Sequence, residues 1–583
     1  MSGEYDENPA EPVKNTAASA TRLSLSTERE PRVLTWFVIG LALVLRLLWL
    51  GMKPPHHDEG VNGWFIDQMT GHGFYHYDPA NYHGPFHFYV LFLAKTLFGR
   101  SVEVMRLPLV LANAATVWLL LQFRRFLPWR ACVIAALACA VSPGMLFNSR
   151  YCIHEPWLVL GMLAAVWGAA ELWTHGTRRG LWSAALGVTL MLLTKETHLI
   201  HFAAFGLAAA TLAGLEWLSA PSSSELPARP VAQQWTWRDL GDTLGVCLLL
   251  LVFFFSGGFN DPAPPKELAA NFFNAFAIWT KTGTQSPGHE KEWYYWLQLI
   301  LRYEWPALLG LLWSVRALWP GMNRLARFLA IYGCGTLVAY SIVPYKTPWC
   351  IISLIWPFLL LFGCGIDAAI RWCGEKNRAA AWLPGVAAFA ILSASLVAAA
   401  QLNYREPTIN REIKLTPAQW SNVAAVNAFL RLPSYVYVQT TNDFFKLTRP
   451  LEALIAQDPS ARKMPIHVLL SSTHPLPWVL GECTSVGYYE NAEPPVMDAG
   501  IILAEEDRIA TVEAGLKNAY FVWPFQLRDG MSVGKIYLAA TRFAAIFPGR
   551  QPDFTPETNK DGDELPIVPA VPVAPGTPVS ASP

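Results

Sequence analysis

Residues 34–59 read LTWFVIGLALVLRLLWLGMKPPHHDE, and the fold follows from how this stretch changes character. Residues 34–52 are apolar apart from Thr35 and Arg46, and about 20 such residues cross the hydrocarbon of a bilayer. Within a few residues the chain then supplies Lys53, His56, His57, Asp58 and Glu59. Ionisable groups crowded against hydrocarbon are costly, so they pair with one another or line a wet cavity. The stretch therefore reads as a membrane span that opens onto a polar site.

Working outward, apolar segments recur at 104–122, 131–147, 156–173, 181–194, 199–217, 242–258, 299–316, 328–343, 349–370 and 380–400, which with 34–52 makes eleven candidate spans. The composition agrees: 53% of the 583 residues are hydrophobic and 15% charged, against about a quarter charged in a soluble chain. Trp49, Trp129 and Trp372 flank segment ends in the manner of an aromatic belt. Lys and Arg alternate in density from one connection to the next. Arg22, Arg29 and Arg32 precede the first span. Arg124, Arg125 and Arg130, then Arg178 and Arg179, Arg229 and Arg238, Arg316, Arg324 and Arg327, and Arg371, Lys376 and Arg378 fill every second connection. The short connections between them carry one cation each, Arg150, Lys195 or Lys346. By the positive-inside rule the N-terminus is cytoplasmic, and eleven crossings put the chain beyond about residue 400 outside an inner (plasma) membrane.

The expected fold class is an all-α polytopic membrane domain of about eleven transmembrane helices with a C-terminal extracytoplasmic α/β domain. The expected organisation is a cytoplasmic disordered tail (1–33), the transmembrane domain (34–400, with a first outer loop at 53–103), a periplasmic α/β domain (401–545) and a Pro-rich disordered tail (546–583). In the α/β domain, alternating runs predict strands at 435–438, 466–470 and 500–503, and helical patterns cover 416–431 and 505–518. The tail ends PVAPGTPVSASP, a composition that builds no core.

Several classes are disfavoured. Net charge is zero, which argues against a nucleic-acid partner. No Walker loop and no GxGxxG on a strand points to a nucleotide-driven pump. The nine cysteines form no CxxC, and most lie in apolar segments, so neither disulfides nor structural zinc is indicated. Six histidines fall in the first outer loop (His56, His57, His72, His76, His83, His87). His with Asp or Glu suits a divalent metal ion, but these spacings match no compact ligand motif.

The outer connections hold the candidate chemistry. Asp58 and Glu59 are a carboxylate pair fit for acid–base work, one of them taking a proton from an acceptor hydroxyl. Arg150, Lys195 and Lys346 are the cations a phosphate at the membrane surface needs. His57, Tyr82, His83, Glu196, Tyr345 and Trp349 are the candidate lining of a shared cleft. Each has a plainer role open to it: Asp58 and Glu59 as a solvated juxtamembrane pair, the cations as snorkelling residues, Glu155 as a carboxylate on a helix N-terminus, and Glu196 as the neutraliser of Lys195.

HHDEGVNGWF (56–65), YHYDPANYHGPFHFY (75–89), SRYCIHEPW (149–157), TKETH (194–198), YEWPALL (303–309), YKTPW (345–349) and PLPWVLGECTSVGYYE (475–490) together resemble the GT-C glycosyltransferase superfamily. That superfamily includes protein O-mannosyltransferases and the aminoarabinose transferase of lipid A. The resemblance is closest to a subfamily labelled flippase-activity-associated, linked by name to archaeal N-glycosylation. It implies an extracytoplasmic active site, a polyprenyl-phosphate-linked sugar as donor, Asp58 as catalytic base beside Glu59, Glu155 as a second acidic residue near the acceptor, and Arg150, Lys195 and Lys346 at the donor phosphate. In place of the Asp typical of the second outer loop, this chain has His154-Glu155. Two functions follow as expectations. One is an inverting glycosyltransferase whose acceptor is a glycan, a lipid or a protein. The other is a flippase accessory that holds a lipid-linked glycan without forming a bond. Flipping needs a polar path at midplane depth, and the candidate spans carry their ionisable residues at one end, which favours the enzyme.

Overall fold

The computed structural model of the chain describes residues 32–218, 233–285, 290–319, 321–405, 435–528 and 530–556. The helical pattern at 416–431, the terminal tails at 1–31 and 557–583, and Arg22, Arg29 and Arg229 lie outside the described residues. From the N-terminus run α1 (Arg32–Leu47), α2 (His57–His72), α3 (Phe86–Phe98), α4 (Val102–Gln122), α5 (Trp129–Val141), α6 (Pro143–Asn148), α7 (Glu155–His175) and α8 (Arg178–Leu192). They are followed by α9 (His198–Leu218), α10 (Trp237–Phe255), α11 (Pro265–Gln285), α12 (Tyr295–Tyr303), α13 (Trp305–Ala317), α14 (Arg324–Ile342), α15 (Ile351–Lys376) and α16 (Leu383–Tyr404). All eleven apolar segments fall on helices. Among the described residues, six helical stretches are long and apolar enough to cross a membrane: Val102–Arg125, Glu155–His175, His198–Leu218, Arg324–Ile342, Pro348–Lys376 and Arg378–Tyr404.

Two of the expected spans are broken. Segment 131–147 divides at Ser142 between α5 and α6, and segment 299–316 divides at Glu304 between α12 and α13. The two breaks meet. The Glu304 carboxylate accepts hydrogen bonds from Ser142 Oγ (2.6 Å) and from the Gly144 backbone N–H in the first turn of α6 (2.6 Å). A buried carboxylate there satisfies donors that a helix start leaves unpaired and complements its dipole.

The centre of the bundle is α15, every residue of which from Ile351 to Cys364 is buried. Around it pack α5, α13 and α14. The pair α7 and α8 approaches closely through small residues: a Cβ on Gly168 would lie 2.2 Å from the Ala184 nitrogen. Lipid tails are as apolar as a leucine, so helices in a membrane associate through such close packing, with little hydrophobic drive.

The C-terminal region carries a five-stranded sheet of β1 (Ile466–Leu469), β2 (Val486–Tyr488), β3 (Ile501–Ala504), β4 (Tyr520–Phe525) and β5 (Gly534–Ala539), in the order β2-β1-β3-β5-β4. β1 is parallel to both of its neighbours, while β5 runs antiparallel to β3 and β4. The expected strands at 466–470 and 500–503 are β1 and β3, whereas the helix read over 505–518 shortens to Ile509–Gly515. The strand read over 435–438 does not form. Its alternating tyrosines pack against the helices instead, Tyr435 on Tyr303 (4.8 Å between ring centres) and Tyr437 on Trp349 (5.8 Å).

The α7–α8 approach gives a direct test. Gly168→Leu is expected to lower stability by about 1–3 kcal/mol or more through overpacking. Gly206→Leu on α9, where nothing lies within 4 Å of the new Cβ, is expected to be near neutral. Detergent-titrated unfolding of both variants checks the pair.

Candidate active site

The site begins at the start of α2. His56 caps this helix, its ring accepting from the Asp58 N–H (3.0 Å) while the His56 N–H donates to Glu59 Oε2 (2.8 Å), a reciprocal capping box. The cap fixes the first turn, and successive residues there point in different directions. Glu59 therefore goes inward and Asp58 outward.

Glu59 is buried and fully occupied. Its Oε1 accepts from Arg106 Nε (2.8 Å) and the Cys152 N–H (2.8 Å), and its Oε2 accepts from Arg106 Nη2 (2.7 Å) as well as from the His56 N–H. Arg106, on α4, also donates to the carbonyls of Leu50, Lys53 and Pro54 (2.8–3.1 Å). Glu59, expected beside Asp58 in the catalysis, has both oxygens engaged in holding four segments together. Arg106 was missed, although a charge within the apolar run 104–122 is itself a signal that a buried partner exists.

Asp58 has the opposite surroundings. Its side chain is 39% exposed and touches His57 Nδ1 (3.2 Å). Burial pushes its carboxyl up, but His56, the His57 hydrogen bond and His83 outweigh that and hold it below the ordinary carboxylate range, so it is ionised at neutral pH.

A second cluster faces it. The Asn81–Phe86 turn lies backbone to backbone on the end of α8, with Gly84 N–H on the Thr194 carbonyl (3.2 Å) and Phe86 N–H on that of Leu193 (3.2 Å). Tyr82 in this turn has φ 37°, a conformation a tyrosine adopts only when its surroundings enforce it. The turn brings His83 Nδ1 to Glu196 Oε2 (2.8 Å). Lys195 bridges Glu155 (2.9 Å) and Glu196 (3.8 Å), all three buried. Burial opposes charge on Glu196, yet Lys195 and His83 hold its carboxyl at about 2. Tyr345, half-buried, feels the charges of Lys195, Asp58 and Glu196; burial raises its phenol to about 12. Trp349 packs edge-on to His56 (5.9 Å between ring centres). Asp58, His57, Tyr82, His83, Glu155, Lys195, Glu196, Tyr345 and Trp349 are thus gathered on one side of the protein.

Arg150 and Lys346, expected at the donor phosphate, both donate to backbone carbonyls. Arg150 donates to the carbonyls of Arg46 (2.8 Å), Leu48 (2.7 Å) and Trp49 (2.9 Å), closing the C-terminal end of α1. Lys346 is buried and donates to the carbonyls of Lys291 (3.1 Å) and Val343. Among the described residues no three His, Cys, Asp or Glu side chains are arranged to hold a metal ion.

The C-terminal region closes over the start of α2. Thr440 Oγ1 donates to the Pro55 carbonyl (2.6 Å), His56 Nε2 meets the Tyr437 carbonyl (2.7 Å), and the Tyr435 hydroxyl donates to Glu304 (2.9 Å). Gly60 allows a close backbone approach, since a Cβ there would lie 2.3 Å from Pro475 Cα. Asp67 on α2 takes Arg100 in a two-pronged pair (2.6 and 2.7 Å), and Arg100 also donates to the Trp478 carbonyl.

The contrast between adjacent carboxylates is testable. Glu59→Gln leaves Arg106 as a buried charge without its counter-ion and is expected to cost about 3–5 kcal/mol. Asp58→Asn is expected to leave the thermal midpoint within a degree or two. Melting of both variants in one detergent checks the difference.

No curated protein matches the chain. Residues 82–221 match the model of the dolichyl-phosphate-mannose-protein mannosyltransferase family. Among solved structures, the crystal structure of ArnT from Cupriavidus metallidurans bound to undecaprenyl phosphate superposes with a TM-score of 0.54 at 17% identity, covering 87% of this chain and 98% of that one. The apo structure of the same ArnT gives 0.52 at 17% identity, covering 88% and 98%. With its apolar helices, its C-terminal sheet and this likeness, the chain is a multi-pass membrane protein that shares the fold of ArnT, with the mannosyltransferase family model matching its residues 82–221.

Proposed function

We propose that this protein transfers a sugar from a polyprenyl-phosphate donor to an acceptor hydroxyl on the extracytoplasmic face of an inner membrane, with inversion and with Asp58 as general base. The observation that carries the reading is the state of Asp58. It is ionised, 39% exposed and hydrogen-bonded to a neighbouring histidine, while Glu59, Glu155 and Glu196 around it are buried and paired. A base must be able to reach the proton it takes, and Asp58 is the exposed carboxylate of the set.

In this reading the acceptor oxygen attacks the anomeric carbon from the side opposite the phosphate. The bond from that carbon to the phosphate oxygen breaks, and its electron pair leaves with the polyprenyl phosphate. The hydroxyl proton passes to an Asp58 carboxylate oxygen. A carboxylate held below its usual range is a weak base, so proton transfer comes late. Before that, the negative charge of Asp58 orients the hydroxyl and stabilises the positive charge growing on the sugar. Lys195, shared by Glu155 and Glu196, lies in the same cleft and faces the departing phosphate side.

The similar ArnT structure holds undecaprenyl phosphate, a carrier of the class proposed here. The orientation is supported by Arg124, Arg125, Arg178, Arg179, Arg324, Arg371 and Lys376, which all lie at the helix ends opposite Asp58. The specific sugar and the acceptor, whether glycan, lipid or protein, are the finer part of the proposal. A carrier-binding accessory that forms no bond is the competing reading.

Incubation of lipid-reconstituted protein with a panel of polyprenyl-phosphate sugars separates the two. Wild type is expected to consume one donor, even if only by slow hydrolysis, and Asp58→Asn to lose at least about a hundredfold in rate, the lower end of the range for removing a positioned base. Equal consumption by wild type and Asp58→Asn would sink the assignment of the base. Binding without consumption by either would favour the accessory.

A further inference from the structure

With Arg150 and Lys346 both taken up by backbone carbonyls and Lys195 shared between Glu155 and Glu196, a phosphate beside Asp58 calls for a further cation, and the C-terminal region supplies one. Arg528 follows β4. Its backbone bridges to Thr440, whose hydroxyl holds the Pro55 carbonyl three residues before Asp58. One guanidinium nitrogen of Arg528 donates to Ser472 Oγ. The charge of Arg528 acts on Asp58 across the seam. Beside it, the His474 ring lies 5.3 Å from the His57 ring, and the next residue, Pro475, is the one that abuts Gly60.

Two atoms at this seam lack what buried polar atoms normally have. Nε of Arg528 and Nδ1 of His474 are both buried and have no hydrogen-bond partner among the described residues. A buried polar atom left unpaired costs about 1–3 kcal/mol, so two such atoms at one seam, with the charge of Arg528 acting on His474, point to a ligand that would satisfy them. An arginine fork with a free Nε suits a phosphate, which takes two parallel N–H donors.

We infer that Arg528 and His474, with Ser472, form a phosphate-ester site at the seam between α2 and the C-terminal region, so that this region supplies part of the anion-binding machinery opposite Asp58. The site deepens the transferase reading and rests on it for its place in the reaction: a cation already balancing Asp58 would also balance the anion a phosphate-linked donor brings beside that carboxylate. No local pattern signals this, because Ser472 and Arg528 lie more than 400 residues from Asp58 and belong to no shared motif.

The test is a binding measurement, independent of turnover. Full-length protein in nanodiscs is titrated with undecaprenyl phosphate and, separately, with inorganic phosphate, comparing wild type, Arg528→Gln, Arg528→Lys and the control Lys535→Gln, whose lysine pairs with Glu513 on the sheet. Arg528→Gln is expected to weaken binding by roughly tenfold or more, and Arg528→Lys, which keeps the charge and loses the fork, by a smaller factor at unchanged melting temperature. Lys535→Gln is expected to bind as wild type does. Arg528-dependent binding of either probe upholds the site, and the probe that binds identifies lipid carrier or soluble phosphate as its source. Wild-type affinity in Arg528→Lys and in any folded Arg528→Gln overturns it. Because no donor is consumed in this assay, the site can stand if Asp58→Asn shows the transfer reading to be wrong, and it can fall while that reading holds.

Discussion

The rest of the structure depends on the buried pair of Glu59 and Arg106. In a membrane-embedded protein such a pair is expensive to desolvate, and it persists only if the remaining lone pairs and donors are also satisfied. Here they are. Glu59 accepts from Arg106 twice, from Cys152 and from His56, while Arg106 also takes three carbonyls of the chain leaving α1. One ion pair therefore ties the exit of α1, the start of α2, the body of α4 and the loop before α7. It also sets the direction of the neighbouring residue. With Glu59 fixed inward by its cap, Asp58 has to leave the first turn on another face, toward the seam. The exposed carboxylate is a geometric consequence of the buried one.

The seam is built on a similar logic of backbone contact. Gly60 meets Pro475 and Gly63 meets Trp478, so α2 has no side chains to hold the C-terminal region away along that line. Arg100 secures the far end by gripping Asp67 and the Trp478 carbonyl. Tyr435 secures the near end on Glu304, the residue at the break between α12 and α13 whose carboxylate also closes the break between α5 and α6. The broken helices are thus part of the docking: the break exposes Glu304 to a tyrosine from a region more than a hundred residues away. A straight, uninterrupted helix over 299–316 would bury its polar groups in its own hydrogen bonds and offer the C-terminal region nothing to hold.

Much of this was legible in the sequence, and the failures are informative. Hydropathy located the helices because burial in lipid constrains composition over whole segments, and every apolar run fell on a helix. It did not locate the breaks at Ser142 and Glu304, because a single polar residue barely alters a segment average while deciding where hydrogen bonds go. Alternation identified β1 and β3 correctly and failed at 435–438, where the same spacing of tyrosines packs rings on helices. Asp58 was legible as a carboxylate in an odd place. The fate of its neighbour was not, since Glu59 differs from it only in the partner that α4 presents.

The cations show most clearly why a site cannot be read from charge alone. Arg150, Lys195 and Lys346 look alike in sequence, each a lone positive charge in a short outer connection. In the structure, Arg150 closes the carbonyls at the end of α1 and Lys346 those near the end of α14, because helix ends near hydrocarbon have little water to satisfy them. Backbone carbonyls thus have first claim on cations at a membrane surface. What is left for a ligand is Lys195, divided between two carboxylates, and whatever another part of the chain can bring. A fold that docks a sheet region over the site can bring an arginine whose backbone bridges to Thr440 and whose Nε has no partner among the described residues.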